Sequence, residues 1–338
     1  MSPHWVRPLL TLLIPGIVTA IYVYLVVKAD RHEPEPKKVV ALALAGGIFF
    51  APFLSIVVEK ILTLLIKPFP PLVQLFLQSN VFAPVVEEVA KGMVLLVLYK
   101  KWRDEMDGLV DGLVYGALVG FGFGLTETIA YLLYSIHQPF VWNSQLIGRL
   151  FLFGFSHALF TSFTGLGLGM LRWTASRYRA IFPVLGLGLA ILAHATHNTI
   201  ISSSYIIPRQ NLFSVGMSLL MALLFNAGGL LVVLLILALA LRQEKRIIQE
   251  ELKEELEEGE YRALAASYGA FRRRQANLFG TSQEARALER HLIELAIKKY
   301  QMKVTSGKTR EHIRRRVTQL RAEIAELREA ITHGEDKL

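Results

Sequence analysis

The chain has no cysteine among its 338 residues. That excludes a disulfide framework, a zinc-thiolate site and a thiol nucleophile, so any catalysis has to use carboxylates, imidazoles, hydroxyls or a metal held by oxygen and nitrogen. No serine sits in a recognisable nucleophile turn and no internal repeat is present. The glycines of GFGLTE fall inside an apolar run and not after a strand, so they form no phosphate-binding loop. Charge is scarce where the chain is most apolar: residues 1–241 hold 16 Lys/Arg and 11 Asp/Glu, against 21 and 17 in residues 242–338. With 53% hydrophobic residues and a mean hydropathy of +0.40, the chain is too apolar for an ordinary soluble protein of this length. The excess of Lys and Arg fits cytoplasmic loops beside anionic lipid and gives no argument for a nucleic-acid partner.

What is present is a series of long apolar runs. They predict an all-α, polytopic transmembrane bundle of about seven spans, or eight, over residues 8–27, 38–57, 81–99, 108–134, 147–171, about 180–201 and about 212–241. Residues 58–80, interrupted by Glu59, Lys60, Lys67, Pro68, Pro70 and Pro71, read as an interfacial helix and turn. Lys28, Arg31, Lys37 and Lys38 in one loop, and Lys100, Lys101 and Arg103 in another, mark the cytoplasmic side. The loop 135–146 has neither Lys nor Arg and should face outward, with Arg209 the one basic residue on that side. This distribution predicts a multi-pass protein of the cell membrane, a bacterial inner membrane by inference, with its N-terminus outside and its tail in the cytoplasm. Residues 1–241 form the transmembrane core and 242–338 a cytosolic helical domain, with breaks at 280–284 and 305–309. Ile313, Val317, Leu320, Ile324 and Leu327 are spaced four, three, four and three, as on a short coiled coil, so the tail is expected to bind a protein partner or to self-associate.

Ionisable residues inside spans cost several kcal/mol unless paired or wet, and so mark function. The third span carries Glu87, Glu88 and Lys91. Glu127, His157 and His194 fall at a similar depth in the fourth, fifth and sixth, about 9 to 15 Å below the outer edge at 1.5 Å per residue. Small residues accompany them at steps of four: Gly112, Gly116, Gly120 and Gly124; then His157, Thr161, Gly165 and Gly169; then Gly186, Ala190, His194 and Asn198. Such stripes let helices approach closely and direct each polar group at another helix. A lone histidine is more often a satisfied core residue than a ligand, and the glutamate pair alone could be a packing ion pair; the coincidence of several groups favours a shared wet cavity. Activated water is the chemistry that suits them. Glu87 or Glu88 would be general base, or two histidines and a glutamate would hold a divalent ion. Lys91 would hold the second carboxylate ionised, and His194 with Asn198 would donate to an oxyanion.

PVVEEVAKG, GLVYGALVGFGFGLTET with its Phe123-x-x-x-Glu127, SHALFT around His157, HATHN at 194–198 and the early DRHEPEP together resemble the PrsW family of intramembrane proteases, which is grouped with the CAAX-prenyl and Abi membrane proteases. The resemblance spans roughly residues 8–240. It implies proteolysis of membrane proteins or membrane-associated peptides, catalytic positions at Glu87, Glu88, Glu127, His157 and His194, and, by analogy, a substrate of the anti-sigma-factor kind. Related enzymes are described both as metalloproteases and as metal-free glutamate enzymes. A zinc ion would fall to His157, His194 and Glu127, with His197 as an alternative ligand. Thr128, where family members are expected to carry Asn, and the additional His197 are departures. The competing reading is a proton- or cation-coupled transporter or channel using the same relay, which would call for inverted repeats or paired broken helices.

Overall fold

A computed structural model describes residues 6–30, 35–174, 178–206, 212–267, 279 and 282–335, and every regular element among them is helical. In order these are α1 (Val6–Val27), α2 (Lys37–Ala45), α3 (Ala51–Ile66), α4 (Pro71–Leu77), α5 (Ala83–Lys101), α6 (Leu109–Tyr134), α7 (Pro139–Ile147), α8 (Ser156–Trp173), α9 (Phe182–Ile206), α10 (Leu212–Leu252), α11 (Glu258–Ser267), α12 (Gln283–Val304) and α13 (Gly307–Glu335). Single π-helical turns occupy Gly46–Phe50, Gln78–Phe82 and Gly148–Leu152. Among the described residues, six stretches are long and apolar enough to cross a bilayer: Val6–Val27, Lys37–Ile66, Leu109–Tyr134, Pro139–Leu171, Arg179–Ser203 and Phe213–Leu252. α5 is not among them because Glu87, Glu88 and Lys91 interrupt its apolar run. The chain is therefore a multi-pass, all-α membrane protein, and the large exposed side chains of α1, α9 and α10, such as Ile17, Leu192 and Leu231, are what lipid contact requires.

Several boundaries differ from the sequence expectation. Charge at Glu59 and Lys60 does not end the second span, which runs unbroken to Ile66; Lys67–Pro70 ends it, since Pro68 and Pro70 have no N–H with which to continue the helical bonding. The expected outer loop contains α7, entered through Pro139 at its first turn. The helix that ends the membrane region continues past residue 241 to Leu252, because leaving an apolar run does not by itself break a helix. Arg31, Arg177, Arg209 and residues 280–281 lie outside the described residues.

The chain divides into two compact units. The first comprises Met1–Ala29, Glu35–Leu171 and Tyr178–Leu237. At its centre is α6, with 78% of its membrane-compatible window buried. One face of α6 meets α8 across the glycines: a methyl on Gly116 would lie 2.7 Å from Ser162 Cα, and one on Gly120 would lie 2.6 Å from Ala158 Cα. The opposite face meets the π turn Gly46–Phe50, where a methyl on Gly122 would lie 2.9 Å from Ile48 N. Asp111 fixes the start of α6 by accepting from the N–H groups of Asp107 (2.9 Å) and Gly108 (2.6 Å). α1 is tied on by Trp142 Nε1 to Thr11 Oγ1 (2.9 Å) and Tyr22 OH to the Leu150 carbonyl (2.8 Å).

Two π turns share a device. Pro52 and Pro84 lie just beyond Gly46–Phe50 and Gln78–Phe82, and each lacks the N–H that would bond a carbonyl in the preceding turn. Neighbouring helices supply the missing donors: Thr126 Oγ1 of α6 bonds the Ile48 carbonyl at 2.8 Å, and Asn198 Nδ2 of α9 bonds the Ser79 carbonyl at 2.9 Å.

The second unit comprises Asp30–Pro34, Arg172–Arg177 and Ala238–Leu338. α12 and α13 form a hairpin, N-capped by Ser282 and turned through Gly307, whose φ of +62° favours glycine. Leu288, Leu292 and Leu295 of α12 and Ile313, Val317 and Leu320 of α13 are buried where the two helices pack. Arg316 forks onto Glu294 through Nε (2.7 Å) and Nη2 (2.8 Å). Lys299 bonds the Glu251 carbonyl (2.7 Å) and Glu255 (2.9 Å), which also accepts from Arg321 (2.7 Å).

Candidate active site

α5 brings Glu87, Glu88 and Lys91 into the middle of the first unit, where all three are buried. Four further helices or turns meet them: α6 with Phe123 and Glu127, the π turn Gly148–Leu152 with Arg149, α8 with His157 and Thr161, and α9 with His194. Polar side chains converge here because the glycine face of α6 holds α8 at backbone contact, which sets His157 beside Glu127.

The hydrogen bonds form one chain. Arg149 Nη1 lies 3.1 Å from Glu127 Oε2, and its guanidinium stacks 3.5 Å from the centre of the Tyr131 ring. The same Glu127 oxygen lies 2.7 Å from His157 Nε2, while His157 Nδ1 lies 3.1 Å from Lys91 Nζ. An ammonium only donates, so Nδ1 is the acceptor and the His157 proton sits on Nε2, directed at Glu127. Lys91 also donates to Glu88 Oε1 at 2.7 Å, approaches Glu87 Oε2 at 3.4 Å, and lies 3.9 Å above the Phe123 ring. Glu88 completes its shell with His194 Nδ1 (3.0 Å) on Oε1 and Thr161 Oγ1 (3.0 Å) on Oε2. With Nδ1 committed to Glu88, His194 turns its Nε2 lone pair towards Glu87 Oε2, 3.9 Å away.

The two neighbouring carboxylates are thus unequal. Glu88 is fully buried and engaged by three donors, whereas Glu87 has only the longer approaches of Lys91 and His194, on one oxygen, and its other oxygen has no bond among the described residues. The cluster holds three hydrogen-bonded carboxylates, with Glu59 of α3 a further acidic group near Glu87 and Glu127, against the cations Lys91 and Arg149, so it is short of positive charge in a setting where uncompensated charge is costly. A proton or a metal ion at Glu87 would supply that charge.

Glu87, His157 and His194 offer ligand atoms that all lie within 4.8 Å of one another. Glutamate with two histidines suits a divalent ion such as zinc, and the Glu87–His194 separation is near the roughly 3.4 Å between two ligands of a tetrahedral ion with about 2.1 Å bonds. The Glu88 carboxylate behind His194 is the outer partner that orients such a ligand. The donor set therefore fits a metal, on the condition that Lys91 leaves His157 Nδ1 and keeps its bond to Glu88. This grouping has Glu87 where the sequence expectation put Glu127, whose engaged oxygen instead serves His157 and Arg149.

Asn198 is not hydrogen-bonded to the cluster; its amide caps the Ser79 carbonyl. His197 makes no hydrogen bond to the cluster either among the described residues; its Nδ1 lies 2.8 Å from Asn226 Nδ2 of α10. Sequence reasoning passed over Arg149, a lone charge in an apolar stretch, and Asn226, a lone amide in the charge-free last span; each was visible as an isolated polar residue at membrane depth.

Comparison with known proteins bears on this arrangement. Residues 35–239 match the family described as PrsW family intramembrane metalloprotease. The chain is similar to "Protease PrsW" of Bacillus subtilis (strain 168), 28% identical over 193 residues, covering 56% of this chain and 80% of that protein. It is also similar to "Protease PrsW" of Geobacillus kaustophilus (strain HTA426), 29% identical over 165 residues, covering 49% and 67%. No solved structure matches.

Proposed function

Because the chain belongs to the PrsW family of intramembrane metalloproteases, we propose that it hydrolyses peptide bonds of membrane-embedded substrates with Glu87 as the general base. The observation that carries this reading is the inequality of the two carboxylates. Glu88, engaged by three donors, orients; Glu87, whose Oε2 has only the longer approaches of Lys91 and His194 and whose Oε1 is unbonded among the described residues, has the capacity to take a proton from water. His194 is held by Glu88 with Nε2 directed at the reacting position. Lys91 keeps Glu88 a carboxylate and places positive charge within reach of Glu87. Glu127, fixed by Arg149, holds His157 in the tautomer whose Nδ1 lone pair faces inward.

Glu87 through Oε2, His194 and, once released by Lys91, His157 would hold the family's metal, for which zinc suits the donor set, leaving Glu87 Oε1 to take the proton. A divalent ion there supplies Lewis-acid charge to the scissile carbonyl. The Lys/Arg distribution supports a cell-membrane location with the tail in the cytoplasm, and the depth of the cluster supports a substrate that is itself a membrane protein, of the anti-sigma-factor kind by analogy.

The test compares cells producing the full chain with cells producing Glu87→Gln, by mass spectrometry of new N-termini in the membrane fraction. Fragments present only with the unaltered chain, and lost equally in His194→Ala, are expected. Identical fragment sets from all three chains would overturn the proposal.

A further inference from the structure

His197 lies one turn beyond His194 on α9 and makes no hydrogen bond to the cluster described above among the described residues. Its Nδ1 is 2.8 Å from Asn226 Nδ2, and its ring packs edge-on against Phe153 (5.3 Å between centroids) and obliquely against Phe160 (5.7 Å). The same Phe160 ring stacks on His194 at 5.1 Å, so His197 borders the cluster through a shared aromatic neighbour.

Asn226 is completely buried, and its partners fix which way the amide points. Nδ2 lies 2.8 Å from the Ala222 carbonyl, which can only accept, and Oδ1 lies 2.7 Å from Ser156 Oγ. Flipping the amide would set two carbonyl oxygens against each other at 2.8 Å, so the NH2 group is the one facing His197. Its second proton goes to His197 Nδ1, which must then carry a lone pair. His197 is therefore neutral with its proton on Nε2, and that N–H meets no acceptor among the described residues.

We propose that Asn226 is a positioning residue that locks His197 in the Nε2–H tautomer, so that His197 offers a hydrogen-bond donor to a substrate peptide carbonyl and not a lone pair to a metal. This rests on the protease reading for the identity of the acceptor, and on geometry alone for the tautomer. A peptide bond being split needs donors for the charge developing on its oxygen, and Asn198, the donor that sequence spacing offers, is taken up by Ser79. The locked tautomer also removes His197 Nε2 from the set of possible metal ligands, since a ligating imidazole nitrogen must be unprotonated.

Two arms test it. In the full-length protein labelled with ¹⁵N-histidine and purified in detergent, the His197 signals, identified by their loss in His197→Gln, are expected to show a protonated Nε2 and a bare Nδ1. In Asn226→Asp the carboxylate accepts from Nδ1–H, and the proton is expected to move to Nδ1. A wild-type proton on Nδ1 would overturn the assignment whatever Asn226→Asp does. In the cleavage arm, His197→Ala and Asn226→Asp are expected to slow fragment release by on the order of 10²-fold, the scale of one lost oxyanion donor. His197→Gln, whose amide reaches the place of Nε2–H, should recover most of that loss, and His197→Asn should not. A Gln variant as slow as the Ala variant, or an Ala variant as fast as wild type, would overturn the donor role while the tautomer stands. Unimpaired cleavage by Glu87→Gln would instead overturn the protease site, which the nitrogen spectra do not depend on.

Discussion

Gly116→Ala should cost much more activity than stability. A methyl there would lie 2.7 Å from both Ser162 Cα and the Thr161 carbonyl oxygen. Comfortable contact is about 3.5–4.0 Å, and both obstacles are backbone, so no rotamer change relieves the clash and α6 and α8 must part by about 1 Å. Overpacking of this kind costs about 1–3 kcal/mol, offset by the roughly 0.5–1 kcal/mol that alanine gains over glycine in a helix. The net, about 0–2.5 kcal/mol, should lower the melting temperature in detergent by a few degrees. The same displacement acts on α8, which carries His157 and the Thr161 hydroxyl bonded to Glu88 at 3.0 Å. Misplacing catalytic groups by about 1 Å can cost on the order of 10²-fold in rate. Gly188→Ala is the control, since nothing lies within 4 Å of that position. Melting curves and fragment-release rates measured on the same preparations decide the matter. If Gly116→Ala cleaves at the wild-type rate, or Gly188→Ala is equally damaging, the close approach of these two helices does not set the site.

Glu88→Gln should destabilise the fold by about 3–5 kcal/mol, because it leaves the buried Lys91 ammonium without its shortest partner; Glu87→Gln should melt near wild type yet release no fragments. Asn198→Ala should lose stability by about 1–3 kcal/mol through the orphaned Ser79 carbonyl, and Pro84→Ala, by restoring a backbone N–H, should make that loss smaller in the double variant; additive losses would count against the capping role. Metal analysis should find about one divalent ion per chain, and chelation should stop cleavage until the ion is returned; full activity in thoroughly chelated, metal-free protein would contradict this. In the tail, burial pushes the Glu255 carboxyl up, but bonds from Lys299 and Arg321 outweigh it and hold its pKa below the ordinary 4.5. Its stabilising contribution is thus present above pH 4.5 and lost as pH falls through the lowered value, so hydrogen exchange in α12, corrected for intrinsic rates, should quicken in that range and do so less in Glu255→Gln.

How much was legible in the sequence follows from what each feature does to composition. Apolar runs announce spans because a helix must be about twenty residues long to cross lipid. The steps of four among Gly112, Gly116 and Gly120 announce a helix contact because only small residues allow backbone approach. Glu87, Glu88, Glu127, His157 and His194 stand out because charge at that depth is rare. The pairing pattern was not legible: that Glu88 and not Glu87 receives three donors depends on where Thr161 and His194 arrive from other helices. Glu59 misled, since a charge was read as a helix end when the real terminator was Lys67–Pro68. The π turns carry no periodic signature, and their proline partners look like ordinary breakers.

Those turns bear on how the gene can change. A π turn holds one residue more than the α-helical turn it replaces. Removing a single residue from Gln78–Phe82 can therefore revert the stretch to regular helix without rotating Glu87 and Glu88 off their face, whereas a one-residue deletion between Pro84 and Glu87 would swing both carboxylates by about 100°. Length variants tolerated during divergence are accordingly expected to cluster at Gly46–Phe50 and Gln78–Phe82, and to be absent from the helical turns that follow them.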